Sequence, residues 1–402
     1  MDNGVLLAYS SGKRLSYDYL LSQIVETKFY PDESSTFDPF EIIKLLSLSA
    51  LNKTNLFLSS GEVDSQDLAL KPNQYYRASG LTIEMLVDQL VLESELWTLT
   101  LNTSGTTGLP KKIVHNFSKL IAGLKINSRK TNTFWALTYR ANHIAGIQVI
   151  LQGLVTISTI VDMYKSPPEE VIDNMITYGI THCSATPTFF RLLAKSERSV
   201  ESMQRVTVGG ESSYGELIST LKSIFPKARF LNIYASTEGG ALLFSRSDTF
   251  EIPNEMQSEM KIVGNQLMIH QNLLSKSIRN EAIEEWYNTG DEVEFLDDRR
   301  KSFKFTGRSS SILKIGGYRV QPEEIERILL QRTDVSAAKV YGKKSSVLGT
   351  ILCCQIVCQG VTEKIIKDFL KHKLPLYKIP RIIELVTSIE YNDNGKIIRR
   401  DD

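Results

Sequence analysis

Residues 103–112 read Thr103-Ser104-Gly105-Thr106-Thr107-Gly108-Leu109-Pro110-Lys111-Lys112, and this run constrains the chain more than any other. The hydroxyl side chains of Ser104, Thr106 and Thr107 are interleaved with Gly105 and Gly108, and Lys111 follows them. Glycine lets successive backbone N–H groups turn toward an anion, because it adopts dihedrals closed to other residues. Hydroxyls add further donors, and a lysine adds a mobile positive charge suited to phosphate. The segment in front, Leu96-Trp97-Thr98-Leu99-Thr100-Leu101, alternates apolar and polar residues, which predicts a strand running into the loop.

The run is not the nucleotide loop of P-loop NTPases. That loop needs four residues between its first glycine and Gly-Lys-Ser/Thr. Counted from Gly105, the second glycine's place is taken by Pro110. A flexible Gly/Thr turn is the plain alternative, and the rest of the chain decides between them. Four further motifs follow: Tyr234-Ala235-Ser236-Thr237-Glu238, Trp286-Tyr287-Asn288-Thr289-Gly290-Asp291, Phe305-Thr306-Gly307-Arg308 with Lys314-Ile315-Gly316-Gly317-Tyr318-Arg319-Val320, and Asn394-Gly395-Lys396-Ile397-Ile398-Arg399. In order and type they resemble the motifs of the adenylate-forming superfamily of acyl- and aryl-CoA synthetases, adenylation domains and luciferases, with acyl/aryl-CoA ligases the nearest likeness.

The gross numbers agree with a soluble, multidomain chain. At 402 residues it exceeds one compact core. A formal net charge of +1 supplies no field for nucleic acid or anionic membrane, so neither is expected as a partner. Residues 141–161 lack charge but carry Asn142, His143, Gln148 and Gln152, which predicts a buried helix running into a strand rather than a membrane span. The N-terminus lacks a basic segment leading into an apolar run, so a cytoplasmic location is expected. Cys183, Cys353, Cys354 and Cys358 have no histidine at a zinc-ligand spacing and read as core thiols.

Apolar runs alternate with amphipathic segments from residue 133 onward, as in Val171 to Tyr178 before Ile180 to Ala185, and predict an α/β architecture. Helical spacing marks Leu15 to Leu21, Ile42 to Leu46 and Ile83 to Leu90. The boundary falls after Arg308, at Ser309-Ser310-Ser311. Beyond it, Pro322-Glu323-Glu324 opens a helix well, and Ile365, Ile366, Phe369 and Leu370 stripe a second over 363–374. The expected organisation is a large α/β N-terminal domain of several subdomains over 1–308 and a small, mobile α+β lid over 309–402. The 102 residues before the phosphate loop resemble a trimmed version of the family's first subdomain.

The resemblance implies a reaction in two halves. A carboxylate attacks the α-phosphorus of ATP and expels pyrophosphate; a thiol then displaces AMP from the acyl-adenylate. Ser104, Gly105, Thr106, Thr107, Gly108 and Lys111 would hold the β- and γ-phosphates. Thr237 would donate to the α-phosphate, and Glu238 is an oxygen ligand suited to Mg²⁺. Asp291 would accept hydrogen bonds from both ribose hydroxyls, with Arg308 beside it. Tyr234 offers a ring face to adenine; Ala235 and Ser236 share its motif, and Gly209, Gly210 and Glu211 resemble the cleft's glycine pair. Lys396 would bridge the carboxylate and the α-phosphate from the lid. Lys314, Gly316 and Gly317 belong to the loop that lets a pantetheine arm pass. The lid turns between half-reactions in this family.

His143 falls where aryl- and acyl-CoA ligases often carry histidine and amino-acid-activating members carry aspartate. The implied substrate is therefore a small carboxylic acid without an α-ammonium group. CoA is the expected thiol, with the phosphopantetheine of an acyl carrier protein as the alternative; a degenerate, non-catalytic nucleotide binder is a further one. The chain departs from the family at Lys112, Ala235 and Asn392, where Gly, Gly and Thr are commoner, and at Ser310, where the pivot is usually Asp or Lys.

Overall fold

Short Val/Ile/Leu runs alternating with capped helices build an eight-stranded sheet. From one edge it runs Gly240–Ser245, Arg229–Ser236, Arg205–Gly209, His182–Ala185, Phe134–Leu137, Thr159–Asp162, Val5–Tyr9 and Arg14–Ser16. The inner pairings are parallel and both edge pairings antiparallel. This computed structural model describes residues 4–59, 69–103, 111–124, 132–194, 196–211, 215–297, 301–315, 317–345, 349–391 and 397–398.

Helices cover both faces, as the near-continuous hydrophobicity of the inner strands requires. On one face Ile147, Ile150 and Leu154 pack with Leu6, Ile160 and the helix Pro39–Asn52. On the other, Val171, Ile172 and Met175 join Phe190, Leu221 and Phe225. Each of these side chains is essentially solvent-free, so truncating one to alanine costs about 2–5 kcal/mol. Caps fix where the helices begin: Ser16 accepts from the Tyr19 N–H, Asp38 from Glu41 and Thr186 from Phe189. The helix foreseen from Leu15 therefore starts later, at Tyr17, and Leu15 lies in the strand Arg14–Ser16.

The uncharged 141–161 run divides into the helix Ile144–Val155 and the strand Thr159–Asp162. No helix among the described residues is long and apolar enough to cross a membrane. After Phe134–Leu137 the chain goes to Thr159–Asp162 on one side, then returns to His182–Ala185 on the other. Such a reversal opens a crevice beyond the carboxyl ends of parallel strands, where ligands of open α/β sheets bind.

Two further sheets flank this crevice. A four-stranded one ends in the antiparallel pair Thr98–Thr103 and Lys111–Asn116, with Thr103 opposite Lys111. A five-stranded one pairs Trp286–Phe295 with Ser302–Arg308, with Asp291 opposite Arg308. The C-terminal body is α+β. Its helices Pro322–Leu329 and Glu363–Lys371 supply Ile325, Leu329, Ile366 and Leu370 to a core with Ile356 and Cys354 of the strand Gly349–Cys358. Cys183, Cys353, Cys354 and Cys358 are all free thiols.

Candidate functional site

The strand Arg229–Ser236 brings several of the foreseen residues to the crevice. Tyr234 donates its hydroxyl to Asp291 Oδ2 at 2.6 Å, and Arg308 Nε lies 3.1 Å from Asp291 Oδ1. Arg308 also donates to the Thr289 carbonyl at 2.9 Å, while the Thr289 hydroxyl accepts from the Asp291 N–H. Gly290 makes this turn with φ of +74°. Asp291 is thus clamped on both oxygens, and each oxygen keeps a further lone pair for an incoming hydroxyl.

Tyr234 differs in detail from the sequence expectation. One ring face lies against Phe305, with centroids 4.2 Å apart and planes 12° from parallel. Burial pushes its phenol well above the usual range, with Asp291 adding to the effect. It is a neutral donor, and one face at most remains for a base.

Thr237 and Glu238 form the turn between Arg229–Ser236 and Gly240–Ser245. The Ser236 hydroxyl accepts from the Gly239 N–H at 3.0 Å and shapes that turn. Glu238 is partly exposed, and its carboxylate has no hydrogen-bond or ion-pair partner among the described residues. No group of three or more His, Cys, Asp or Glu side chains that would cage a metal occurs among the described residues. One hard carboxylate with a neighbouring hydroxyl fits Mg²⁺ arriving on phosphate, since this ion keeps most of its shell as water and phosphate oxygen.

Glu211 follows Gly210, whose φ is +85°. Its Oε2 accepts from the Thr188 N–H and hydroxyl at 3.2 and 2.7 Å, at the start of the helix Pro187–Leu193. His143 caps the helix Ile144–Val155, its Nδ1 accepting from the Ala145 N–H at 3.3 Å. Gly146 is needed just behind it, because a Cβ would run into the Arg140 carbonyl. Ala235 is exposed at the strand's carboxyl end.

Lys111 opens the strand after the loop and pairs with Glu281, at 3.1 Å. Ser104, Gly105, Thr106, Thr107 and Gly108 lie outside the described residues, as do Gly316 and Lys396. Lys314 and Gly317 stand exposed on the hairpin Leu313–Ile315/Tyr318–Val320, with φ of +88° at Gly317. Tyr391 and Ile397, on either side of 392–396, form an isolated bridge. Both line a narrow cleft with Thr188 and Arg191, so they sit against the helix that holds Glu211.

A second, open crevice of about 890 Å³ separates the helix Pro322–Leu329 from the strands Trp286–Phe295 and Ser302–Arg308. Its walls are charged, with Glu292, Glu294, Lys304, Glu324, Arg327 and Lys378 among them, and neither Glu238, Asp291 nor Glu211 lines it.

Sequence reasoning passed over Glu281, Thr188 and Phe305, the partners of Lys111, Glu211 and Tyr234. Glu281 and Thr188 belong to no motif, Phe305 opens one without any sign that it stacks on Tyr234, and Glu281 is 170 residues from Lys111. Only the assembled fold reveals them.

Residues 89–269 match the family described as AMP-binding enzyme, and residues 324–396 match the AMP-binding enzyme C-terminal domain. A 2-succinylbenzoate–CoA ligase of Bacillus licheniformis is 24% identical over 328 residues, covering 74% of this chain and 68% of that protein. A 4-coumarate–CoA ligase of Nicotiana tabacum is 26% identical over 345 residues, covering 74% and 63%. The chain spans 60–68% of the length of the curated relatives it matches. Among solved structures, ATP-bound MatB from Rhodopseudomonas palustris superposes with a TM-score of 0.71 at 14% identity, over 98% of this chain and 94% of that one. The O-succinylbenzoate coenzyme A synthetase of Bacillus subtilis, complexed with ATP and magnesium ion, gives 0.66 at 18% identity, over 98% and 96%.

Proposed function

The chain belongs to the AMP-binding, adenylate-forming enzyme family, and from that premise we propose that it is an ATP-dependent acid–thiol ligase. It joins a small carboxylic acid to CoA through an acyl-adenylate. The observation that carries this reading is the two carboxylates that the strand Arg229–Ser236 reaches: Asp291, clamped by its Tyr234 and by Arg308, and Glu238 in the turn that follows it, without a partner among the described residues. An acceptor-only group suits a ribose diol, and a bare carboxylate suits a phosphate-borne Mg²⁺. The named relatives are themselves CoA ligases, which supports the thiol half.

In the first half-reaction an oxygen of the acid attacks the α-phosphorus, and the bond to pyrophosphate breaks. Ser104, Thr106, Thr107 and the backbone at Gly105 and Gly108 hold the departing phosphates. Lys111 joins them by exchanging Glu281 for phosphate; the pair is half exposed, so the exchange costs little. Thr237 donates to the α-phosphate, and Glu238 holds Mg²⁺, which when bound neutralises charge on the phosphate oxygens. Asp291 fixes the ribose, Arg308 fixes Asp291, and Lys396 bridges the acid and α-phosphate oxygens. Such fixed donors act where charge develops. In the second half-reaction the thiol loses its proton, its sulfur attacks the acyl carbon, and the bond to AMP breaks.

We place the domain boundary between Arg308 and Ser309, with 1–308 as the large domain and 309–402 as the lid. The lid turns there between half-reactions, withdrawing Lys396 and presenting Lys314, Gly316 and Gly317 to the pantetheine arm. Support for the first orientation comes from Tyr391 and Ile397, whose contact with the Thr188 helix brings the flanks of 392–396 toward Glu211. His143, at the head of its helix, belongs to the acid pocket.

The test is acid-dependent exchange of labelled pyrophosphate into ATP across aryl, fatty and short acids. Lys396→Ala should abolish exchange, while thioester formation from supplied acyl-adenylate continues. Equal loss of both halves would remove the role given to Lys396. Repeating the thiol step with a holo carrier protein identifies the acceptor: the proposal requires faster turnover with CoA.

A further inference from the structure

Two segments far apart in sequence meet behind the Thr237–Glu238 turn. Ser275 directs both its N–H and its hydroxyl at the Glu238 carbonyl, at 2.9 and 3.1 Å. The same Ser275 Oγ lies 3.0 Å from His115 Nδ1, and both residues are only 4% exposed. His115 belongs to Lys111–Asn116, the strand that leaves the phosphate loop. That strand is fastened to the Ser275 segment twice more. The Val114 N–H donates to Ser277 Oγ at 3.0 Å, and Lys119, just beyond the strand, donates to the carbonyls of Asn272 and Leu274.

The direction of these bonds follows from proton counting. A serine hydroxyl has one proton. With that proton on the Glu238 carbonyl, Ser275 Oγ must accept from His115, so Nδ1 carries the hydrogen. Nε2 is then a bare nitrogen, and it is buried without a hydrogen-bond partner. The opposite tautomer would strand an N–H donor there, the rarer and costlier fault. Burial pushes His115 down to about 4, with the Lys119 ammonium adding to it, so the ring is neutral near pH 7.

We propose that His115 and Ser275 are positioning residues for the nucleotide site: the chain His115 N–H to Ser275 O–H to Glu238 C=O holds the metal-binding carboxylate in register with the strand Lys111–Asn116. The inference rests on the role given to Glu238 above. Neither residue touches the reacting atoms. Each acts through the backbone of the turn, and consecutive bonds in a dry setting strengthen one another.

Calorimetric titration of the full chain, with MgATP and with ATP in excess chelator, tests this. Ser275→Ala and His115→Leu should each weaken MgATP by about tenfold, as expected for one lost buried hydrogen bond. Metal-free ATP should bind as to the unaltered chain. His115→Asn, whose amide can donate from near the Nδ1 position, should recover most of the loss. The double variant Ser275→Ala/His115→Leu should be no worse than Ser275→Ala alone, because both act through one carbonyl. Equal weakening of MgATP and metal-free ATP, additive losses, or His115→Asn no better than His115→Leu would overturn the proposal. The two His115 variants carry the test if Ser275→Ala does not fold. An unaltered chain that binds MgATP but exchanges no pyrophosphate with any acid would remove the ligase reading and leave this one standing. An unaltered chain that binds no MgATP would overturn both.

Discussion

At the scale of single residues, the chain keeps several ionisable groups out of water, and Asp162 gives the clearest consequence. It ends the strand Thr159–Asp162, and burial raises its carboxyl to about 6, against a smaller lowering by the Tyr164 N–H. A carboxyl whose folded value lies above its unfolded one binds protons better in the native state. Its contribution therefore falls as pH rises from about 4 to about 6 and stays low above that. Asp162→Asn keeps the bond from the Tyr164 N–H and should stabilise the protein at pH 7 by on the order of 1–3 kcal/mol. The gain should vanish below pH 4, which denaturant melts at pH 7 and pH 3.5 would detect; a pH-independent gain would contradict it. The motif residues at this scale could be nominated from the sequence because their chemistry is written in residue type. Their partnerships were not: Glu281 beside Lys111 and Phe305 beneath Tyr234 are brought there by folding, and nothing local marks either contact.

Among the elements, the turn at Glu284-Glu285 is unusual. Both residues have positive φ, 48° and 70°, between Ile283 and Trp286, which form a bridge. This is a two-residue hairpin of the kind that favours Asn-Gly, and each glutamate held there costs about 1 kcal/mol. Glu284→Asn with Glu285→Gly should raise stability by about 1–2 kcal/mol, read as a higher thermal midpoint. An unchanged midpoint would mean that the contact between Glu285 and Gln271 matters more than the backbone. Elements with strong local signals were readable in advance. Pro322 with two following acids does open a helix, Pro322–Leu329. The order of strands was not readable, because pairing joins segments such as Val5–Tyr9 and Thr159–Asp162 that share no sequence signal.

For the whole molecule, the segment that joins the strand Ser302–Arg308 to the C-terminal body is tightly packed. Gly307 has φ of +151°, and a Cβ there would run into the side-chain amide of Gln321. That amide donates to the Arg308 carbonyl at 3.3 Å and to Ser311 Oγ at 3.1 Å, so Gln321 braces the segment around Ser310. Gly307→Ala should lower stability by about 1–3 kcal/mol through overpacking and slow the thioester half more than the adenylate half. Adding Gln321→Ala should restore part of the stability. Single-turnover measurements of each half-reaction, with melts of the single and double variants, decide this; no rescue would show that Gln321 is not the obstruction.

The charged crevice between the helix Pro322–Leu329 and the strands Trp286–Phe295 and Ser302–Arg308 bears on the thermodynamics of the proposed lid motion. Its walls are mostly charged and polar side chains, with Val293, Phe295 and Phe305 among them, so the proposed turn of the lid would uncover little hydrocarbon. Heat capacity tracks the apolar area uncovered. The balance between lid orientations should accordingly shift little with temperature and respond instead to ionic strength, which screens pairs such as Arg319 with Glu292 across the hinge. On the proposed lid motion, salt more than heat should set the resting orientation.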